Sequence, residues 1–167
     1  MDSSKIMLSL DIDNMYGNIP RTEALKALRE RLCTSDKFST CEIDDIVHIV
    51  DEITKQNYFS WKEKVFYDPN GLPMGGPLSA LLSEVYLQSF EKNEILNIKN
   101  KYVKNIEFYN RYVDDIFIVF KGTKRQAKLM TNHLNQNQNP INFKLDQLET
   151  NSVWFDHSQG VQSPYGT

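Results

Sequence analysis

The chain has 167 residues, 40% of them hydrophobic, and a formal net charge of −3, which suits one ordinary domain, or one piece of a larger one, with enough apolar side chains for a core. Its longest apolar runs, such as IFIVF at 116–120, fall far short of the roughly 20 residues that a bilayer helix needs, and MDSSK lacks the basic-then-apolar order of a secretory signal. Cys33 and Cys41 make a poor disulfide framework and read as reduced thiols of an intracellular protein.

In chain order, KIMLSLDI alternates Ile6, Leu8, Leu10 and Ile12 against Met7, Ser9 and Asp11, the pattern of a strand with one apolar face. PRTEALKALRERL carries Pro20 near its start and apolar residues at Ala24, Leu25, Leu28 and Leu32, which predicts an amphipathic helix. CEIDDIVHIVDEITKQN repeats that spacing through Ile43, Ile46, Val47, Val50 and Ile53, a second helix. YFSWKEKVFYD reads as two short strands around Lys62 to Lys64, and a third helix is expected from near Gly76, after a Gly/Pro break. Residues 106–121 form two apolar runs interrupted by Asp114 and Asp115, a tight hairpin. KRQAKLMTNHLNQ is a fourth helix, and INFKLDQLE a last strand with Ile141, Phe143 and Leu145 on one face. This order predicts an α+β fold, an antiparallel sheet with helices packed on one face and the other face open.

The open face gives adjacent carboxylates a place outside the core. Asp114 and Asp115 at a hairpin tip repel each other, so one is driven neutral unless a divalent cation holds both ionised. Adjacent aspartates are also common in turns, and Asp44-Asp45 reads as a solvated helix start. What separates the two pairs is Asp11, which ends another apolar strand. If the strands are neighbours, Asp11 and Asp114 converge as the carboxylates of a two-metal phosphoryl-transfer site, and hard oxygen donors suit Mg²⁺. The charge is also unevenly spread: residues 1–70 carry 9 basic and 13 acidic side chains, and residues 91–130 carry 9 basic and 5 acidic. A basic zone beside acidic positions suits a polyanion-handling site, although a charge-mixed solvated surface gives the same count.

LDIDNMYGNIP, GLPMGGPLS and YNRYVDDIFIVF, in this order, resemble the three palm motifs of a reverse transcriptase, with YVDD the most specific. MYGNIP, GLPMG, RYVDDIFIVF and HLNQNQNPINFKLDQLE resemble the Penelope-like retroelement enzymes in particular. The resemblance runs from about Ile6 to Asp156. It implies a right-hand polymerase palm over residues 1–157, followed by a disordered tail at 158–167, and RNA-directed DNA synthesis from deoxynucleotides onto a primer 3′-hydroxyl.

Residue by residue, the resemblance makes Asp11 a catalytic metal ligand and the Ile12 carbonyl a backbone ligand to two Mg²⁺ ions, with Mn²⁺ as a substitute. Asp114 and Asp115 match the catalytic pair and both belong to the implied metal ligands, Asp114 the more direct of the two. Tyr16 matches the aromatic under the incoming sugar, where it excludes a 2′-hydroxyl. Gly71, Leu72, Pro73, Met74 and Gly75 match the loop against template and nucleotide, Met74 and Gly75 on the nucleotide side. Tyr112 matches a residue near the primer end. Implied partners are an RNA template, a DNA primer, a deoxynucleoside triphosphate and the fingers and thumb segments of a larger polymerase, in an intracellular, nuclear setting. Asp13 departs from the small polar residue expected there, and SVWFDH is a shortened form of a longer family pattern. Because the chain offers no room for basic fingers ahead of Asp11, it is expected to be inactive alone. Two alternatives stay open: a non-catalytic protein co-opted from such a palm, and a nucleotidyl cyclase, whose glycine-glycine-acid-acid hairpin YVDD does not supply.

Overall fold

A computed structural model describes residues 5–136 and 140–149. The anticipated tail at 158–167, the SVWFDH motif and the last part of the expected palm lie outside the described residues.

Strand β1, Lys5–Ile12, lies near the centre of an antiparallel four-stranded sheet. It pairs with β5, Asp115–Lys121, in register from Lys5 opposite Lys121 to Asp11 opposite Asp115. β4, Ile106–Tyr112, flanks β5, and β6, Phe143–Glu149, flanks β1. Residues directly opposite one another in such pairs share a face. Ile6, Leu8 and Leu10 therefore stand beside Phe120, Ile118 and Ile116, and all six are buried. This is the expected apolar face, and helices cover it.

α2, Arg21–Cys33, α4, Ser79–Phe90, and α5, Lys124–Gln136, contribute Ala24, Leu28, Leu82, Leu87, Phe90, Ala127, Met130 and Leu134 to the core. At the end of α5 the Asn135 amide donates to the Phe143 carbonyl and accepts from the Phe143 N–H, which fastens β6 to the helix layer. α4 starts three residues later than Gly76 suggested, because Pro73–Gly76 forms a turn whose carbonyl at Pro73 accepts from the Ser79 hydroxyl at 2.6 Å. α1, Met15–Asn18, is a single turn after β1 that the apolar spacing did not predict.

α3, Thr40–Thr54, begins with a reciprocal cap between Ser39 and Glu42. It lies at the rim against α2, so only Ile43 and Thr54 are fully buried and Ile53 remains exposed. The remaining strands, β2, Tyr58–Trp61, and β3, Lys64–Tyr67, form a separate two-stranded ribbon, and every residue in them is exposed. Among the described residues no helix is long and apolar enough to cross a membrane. Cys33 and Cys41 are exposed and unpaired.

Candidate functional site

The sheet register alone sets the acidic residues in one row. Tyr112 stands opposite Asp115, Asp115 opposite Asp11, and Asp11 opposite Lys144, so one row crosses all four strands on the face away from the helices. Asp114 sits one residue earlier, in the β4–β5 turn. There the Ile12 N–H donates to the Asp114 carbonyl at 3.1 Å, which ties the turn to the end of β1. Asp11, Ile12, Asn14, Met15, Tyr16, Met74, Val113 and Asp114 line a cavity of about 300 Å³. Asp11 and Asp114 thus face one cavity, together with Tyr16 and the loop residue Met74.

Backbone strain collects around this cavity. Val113 has φ 57° and Asn14 φ 43°, both left-handed. Asn tolerates that region, whereas for a β-branched residue it is a true outlier costing on the order of 1–3 kcal/mol. The strained turn is bracketed by the Ile12 bond and by Arg111, whose Nη1 donates to the Val113 carbonyl at 2.9 Å.

Electrostatics matches this crowding. Burial, and then the charges of Asp114 and Asp115, push the Asp11 carboxyl above its ordinary value, while Lys144 opposes the rise. Lys144 is itself held by an ion pair with Asp13, which raises the lysine's pKa. Asp13, the residue that departs from the family pattern, thus anchors a cation beside Asp11.

The glycine-rich loop divides in two. A Cβ on Gly71 would lie 2.8 Å from the Cα of Gly17, so only glycine permits that backbone approach. The Leu72 N–H donates to the Tyr16 carbonyl at 2.8 Å, and the Leu72 side chain is a core residue. Gly71 and Leu72 thus hold the loop to α1, and Pro73 is anchored by the Ser79 hydroxyl. Met74, 78% exposed, and Gly75, at φ 77°, form the outward rim. Tyr112 is 75% exposed at the end of the row and does not line the cavity.

Four residues near the site carried no assignment from sequence: Lys144, Arg111, Glu84 and Glu91. Arg111 follows the alternation of Tyr109 and so points to the helix side, in the phase of Ile116 and Ile118. A cation at an apolar-phase position of a strand was the available signal. It pairs there with Glu84 of α4 at 2.9 Å and with Glu91, in the π-helical turn Glu91–Ile95 that follows α4. Glu91 also accepts from the Tyr109 hydroxyl at 2.9 Å. Burial and the Glu91 charge push the Tyr109 phenol far above its ordinary value.

The donor set is chemically suited to a hard divalent cation, since the charges of Asp114 and Asp115 both act on the Asp11 carboxyl and hard oxygen donors favour such an ion. Among the described residues no three His, Cys, Asp or Glu side chains are gathered as a ready cage. Mg²⁺ typically takes only one or two protein carboxylates and completes its shell with water and substrate phosphates, so the carboxylates present fit such an ion.

No curated protein matches this chain. Among solved structures it is similar to telomerase from Candida albicans in complex with a TWJ fragment of telomeric RNA, with TM-score 0.62, 12% identity, and coverage of 86% of this chain but 27% of that one. It is also similar to apo telomerase from Candida tropicalis truncated from its C-terminal domain, with TM-score 0.56, 14% identity, and coverage of 85% and 30%. The chain thus spans less than a third of either neighbour, and at such identity the likeness shows the fold alone. The profile of one family matches residues 1–148, a stretch that holds β1, the glycine-rich loop, the paired aspartates and most of β6, and by that match the chain belongs to the reverse transcriptase (RNA-dependent DNA polymerase) family.

Proposed function

We propose that this chain is the palm of an RNA-templated DNA polymerase, and that Asp11, the Ile12 carbonyl, Asp114 and Asp115 form its nucleotidyl-transfer site. The observation that carries this reading is the shared cavity of Asp11, Asp114, Tyr16 and Met74, drawn from three separate sequence motifs. In the reaction a bond forms between the primer 3′-oxygen and the α-phosphorus, the bond to the leaving pyrophosphate breaks, and the hydroxyl proton passes to solvent water. Asp11, Asp114 and the Ile12 carbonyl would hold Mg²⁺ or Mn²⁺, which when bound activates the hydroxyl and neutralises the charge on the leaving pyrophosphate. Tyr16 flanks the sugar, Met74 and Gly75 the base, and Tyr112 at the sheet edge the primer end. Phosphoryl transfer depends mainly on positioning and electrostatic stabilisation, so full activity is assigned to a longer polypeptide whose fingers grip the triphosphate. The Penelope-like variety rests on the spelling of the motifs and goes with this proposal, as does a nuclear location.

The test is Mn²⁺ titration of the chain by calorimetry, with and without a deoxynucleoside triphosphate. Weak binding that strengthens with the triphosphate and is lost in Asp11→Asn/Asp114→Asn is expected. Identical binding by wild type and the double variant would overturn the reading.

A further inference from the structure

We propose that Arg111 is the positioning residue of the carboxylate turn: it ties the Val113 carbonyl to α4 and the π-helical turn, and thereby sets where Asp114 stands against Asp11. The assignment rests on the reading of Asp11 and Asp114 given above, since positioning matters only if those carboxylates act together.

The location of the Arg111 side chain limits how it can act. The Arg111 side chain is 5% exposed, on the helix side of β4, while the carboxylate row lies on the opposite side of the sheet. It therefore touches no candidate ligand and can influence the cavity only through the backbone. Its donors are divided for that purpose. Nε pairs with Glu91, and Nη1 donates both to Glu84 and to the Val113 carbonyl, each at 2.9 Å. The guanidinium is planar and rigid, so two carboxylates on the helix layer fix the orientation in which it meets the turn.

The turn needs such a hold because Val113, at φ 57°, adopts a backbone conformation that a β-branched residue leaves when it is free to do so. Such strain persists only where the surroundings over-determine it. Relaxation of Val113 would carry the Asp114 carbonyl away from the Ile12 N–H, the bond that joins this turn to the strand bearing Asp11. The π-helical turn has a place in the same scheme, because it carries Glu91, which receives both Arg111 and Tyr109. π-Helical turns of this kind recur at functional sites.

The clamp can be read from amide hydrogen exchange of the chain, with the Ile12 amide compared against the central amides of β1 and β5. Arg111→Ala is expected to speed Ile12 exchange by about tenfold more than that of the central amides, as a local opening does. Arg111→Lys, which retains a donor for one carbonyl, should recover part of the protection. Adding Val113→Gly to Arg111→Ala should restore most of it, because the strain that the clamp resists is then gone. Equal acceleration at Ile12 and at the central amides, or no restoration by Val113→Gly, would show Arg111 to be a general stabiliser and overturn the proposal. If Arg111→Ala does not fold, Glu84→Gln decides. Glu84 is 48% exposed at the outer end of the clamp, and its loss should speed Ile12 selectively, whereas an unchanged Ile12 amide would overturn the proposal. A chain whose Ile12 amide responds as expected but whose Mn²⁺ binding ignores Asp11 and Asp114 would keep the clamp and lose the polymerase reading.

Discussion

The β4–β5 hairpin and the β2–β3 ribbon are spelled in the same vocabulary of aromatic and β-branched residues, and the chain treats them in opposite ways. In β5, Ile116, Ile118 and Phe120 are buried, because β5 has a neighbour on each edge and helices over one face. In the ribbon, Phe59, Trp61, Val65 and Phe66 are all exposed, and the strands hold each other through the Tyr58–Tyr67 and Phe59–Phe66 ring pairs, with centroids 5.0 and 5.4 Å apart. Strand propensity reports fit to a pleated surface rather than burial, and an isolated two-stranded ribbon is at best marginally stable. The turns differ as well. The ribbon reverses through Lys62 and Glu63 at φ 47° and 63°, a geometry suited to strand twist and open to water. The hairpin reverses through Val113 under the hold of Arg111. The carboxylates stand on the hairpin, where the turn is tied to the helix layer and to β1.

The largest expected effect tests the burial contrast. Phe120→Ala should destabilise the chain by about 3–5 kcal/mol, as truncation of a large core side chain does, whereas Val65→Ala, at 72% exposure, should stay within about 0.5 kcal/mol. Urea unfolding of both variants measures the difference, and comparable losses would mean that the ribbon is part of the same cooperative core.

The next effect tests the turns. With Arg111 intact, Val113→Gly should stabilise by about 1 kcal/mol, the relief of left-handed strain less the added freedom of glycine in the unfolded chain. A loss of stability in thermal unfolding would show that Val113 is not strained.

A smaller, pH-dependent effect reports on the carboxylate row. The folded pKa of Asp11 lies above the ordinary carboxylate value of 3.8, so its favourable contribution is full below that pH and is lost as pH rises through the folded pKa. Asp11→Asn should therefore raise the melting temperature by about 2 °C at pH 7, and leave it nearly unchanged at pH 3. An equal gain at both pH values would show that charge is not its source.

The smallest effect is local to the ribbon. Replacing Lys62-Glu63 with Asn-Gly, the residues that this turn geometry favours, should improve the ribbon by about 0.4 kcal/mol. It should appear as slower amide exchange in β2 and β3 with no change in β1 or β5.

Much of this architecture was legible from local pattern. The two-residue alternation of KIMLSLDI already separated Ile6, Leu8, Leu10 and Ile12 from Asp11, and in the structure those four are buried while Asp11 stands on the other face. The spacing of apolar residues in α2 likewise marked Ala24, Leu25 and Leu28, which the structure buries. The motifs around Asp11, Met74 and Asp114 pointed to one site, and all three residues line one cavity. Local periodicity is readable because it follows from backbone geometry within a few residues.

Other features depended on pairing between distant segments. The sequence could suggest that Asp11 and Asp114 meet, but the register that sets Asp11 against Asp115, and Lys144 on its other side, joins segments about a hundred residues apart or more. α3 has the apolar spacing of a covered helix and yet keeps Ile53 exposed, because coverage depends on what packs beside it. The GLPMG loop is continuous in sequence, but its inner part is held against Gly17 and only its rim reaches the cavity. Arg111 is the clearest case: composition marks it as a surface charge, whereas the sheet turns it inward to Glu84 and Glu91. Alternation is a property of one strand, while register, coverage and ion pairing are properties of the assembled layers, and only folding brings those layers together.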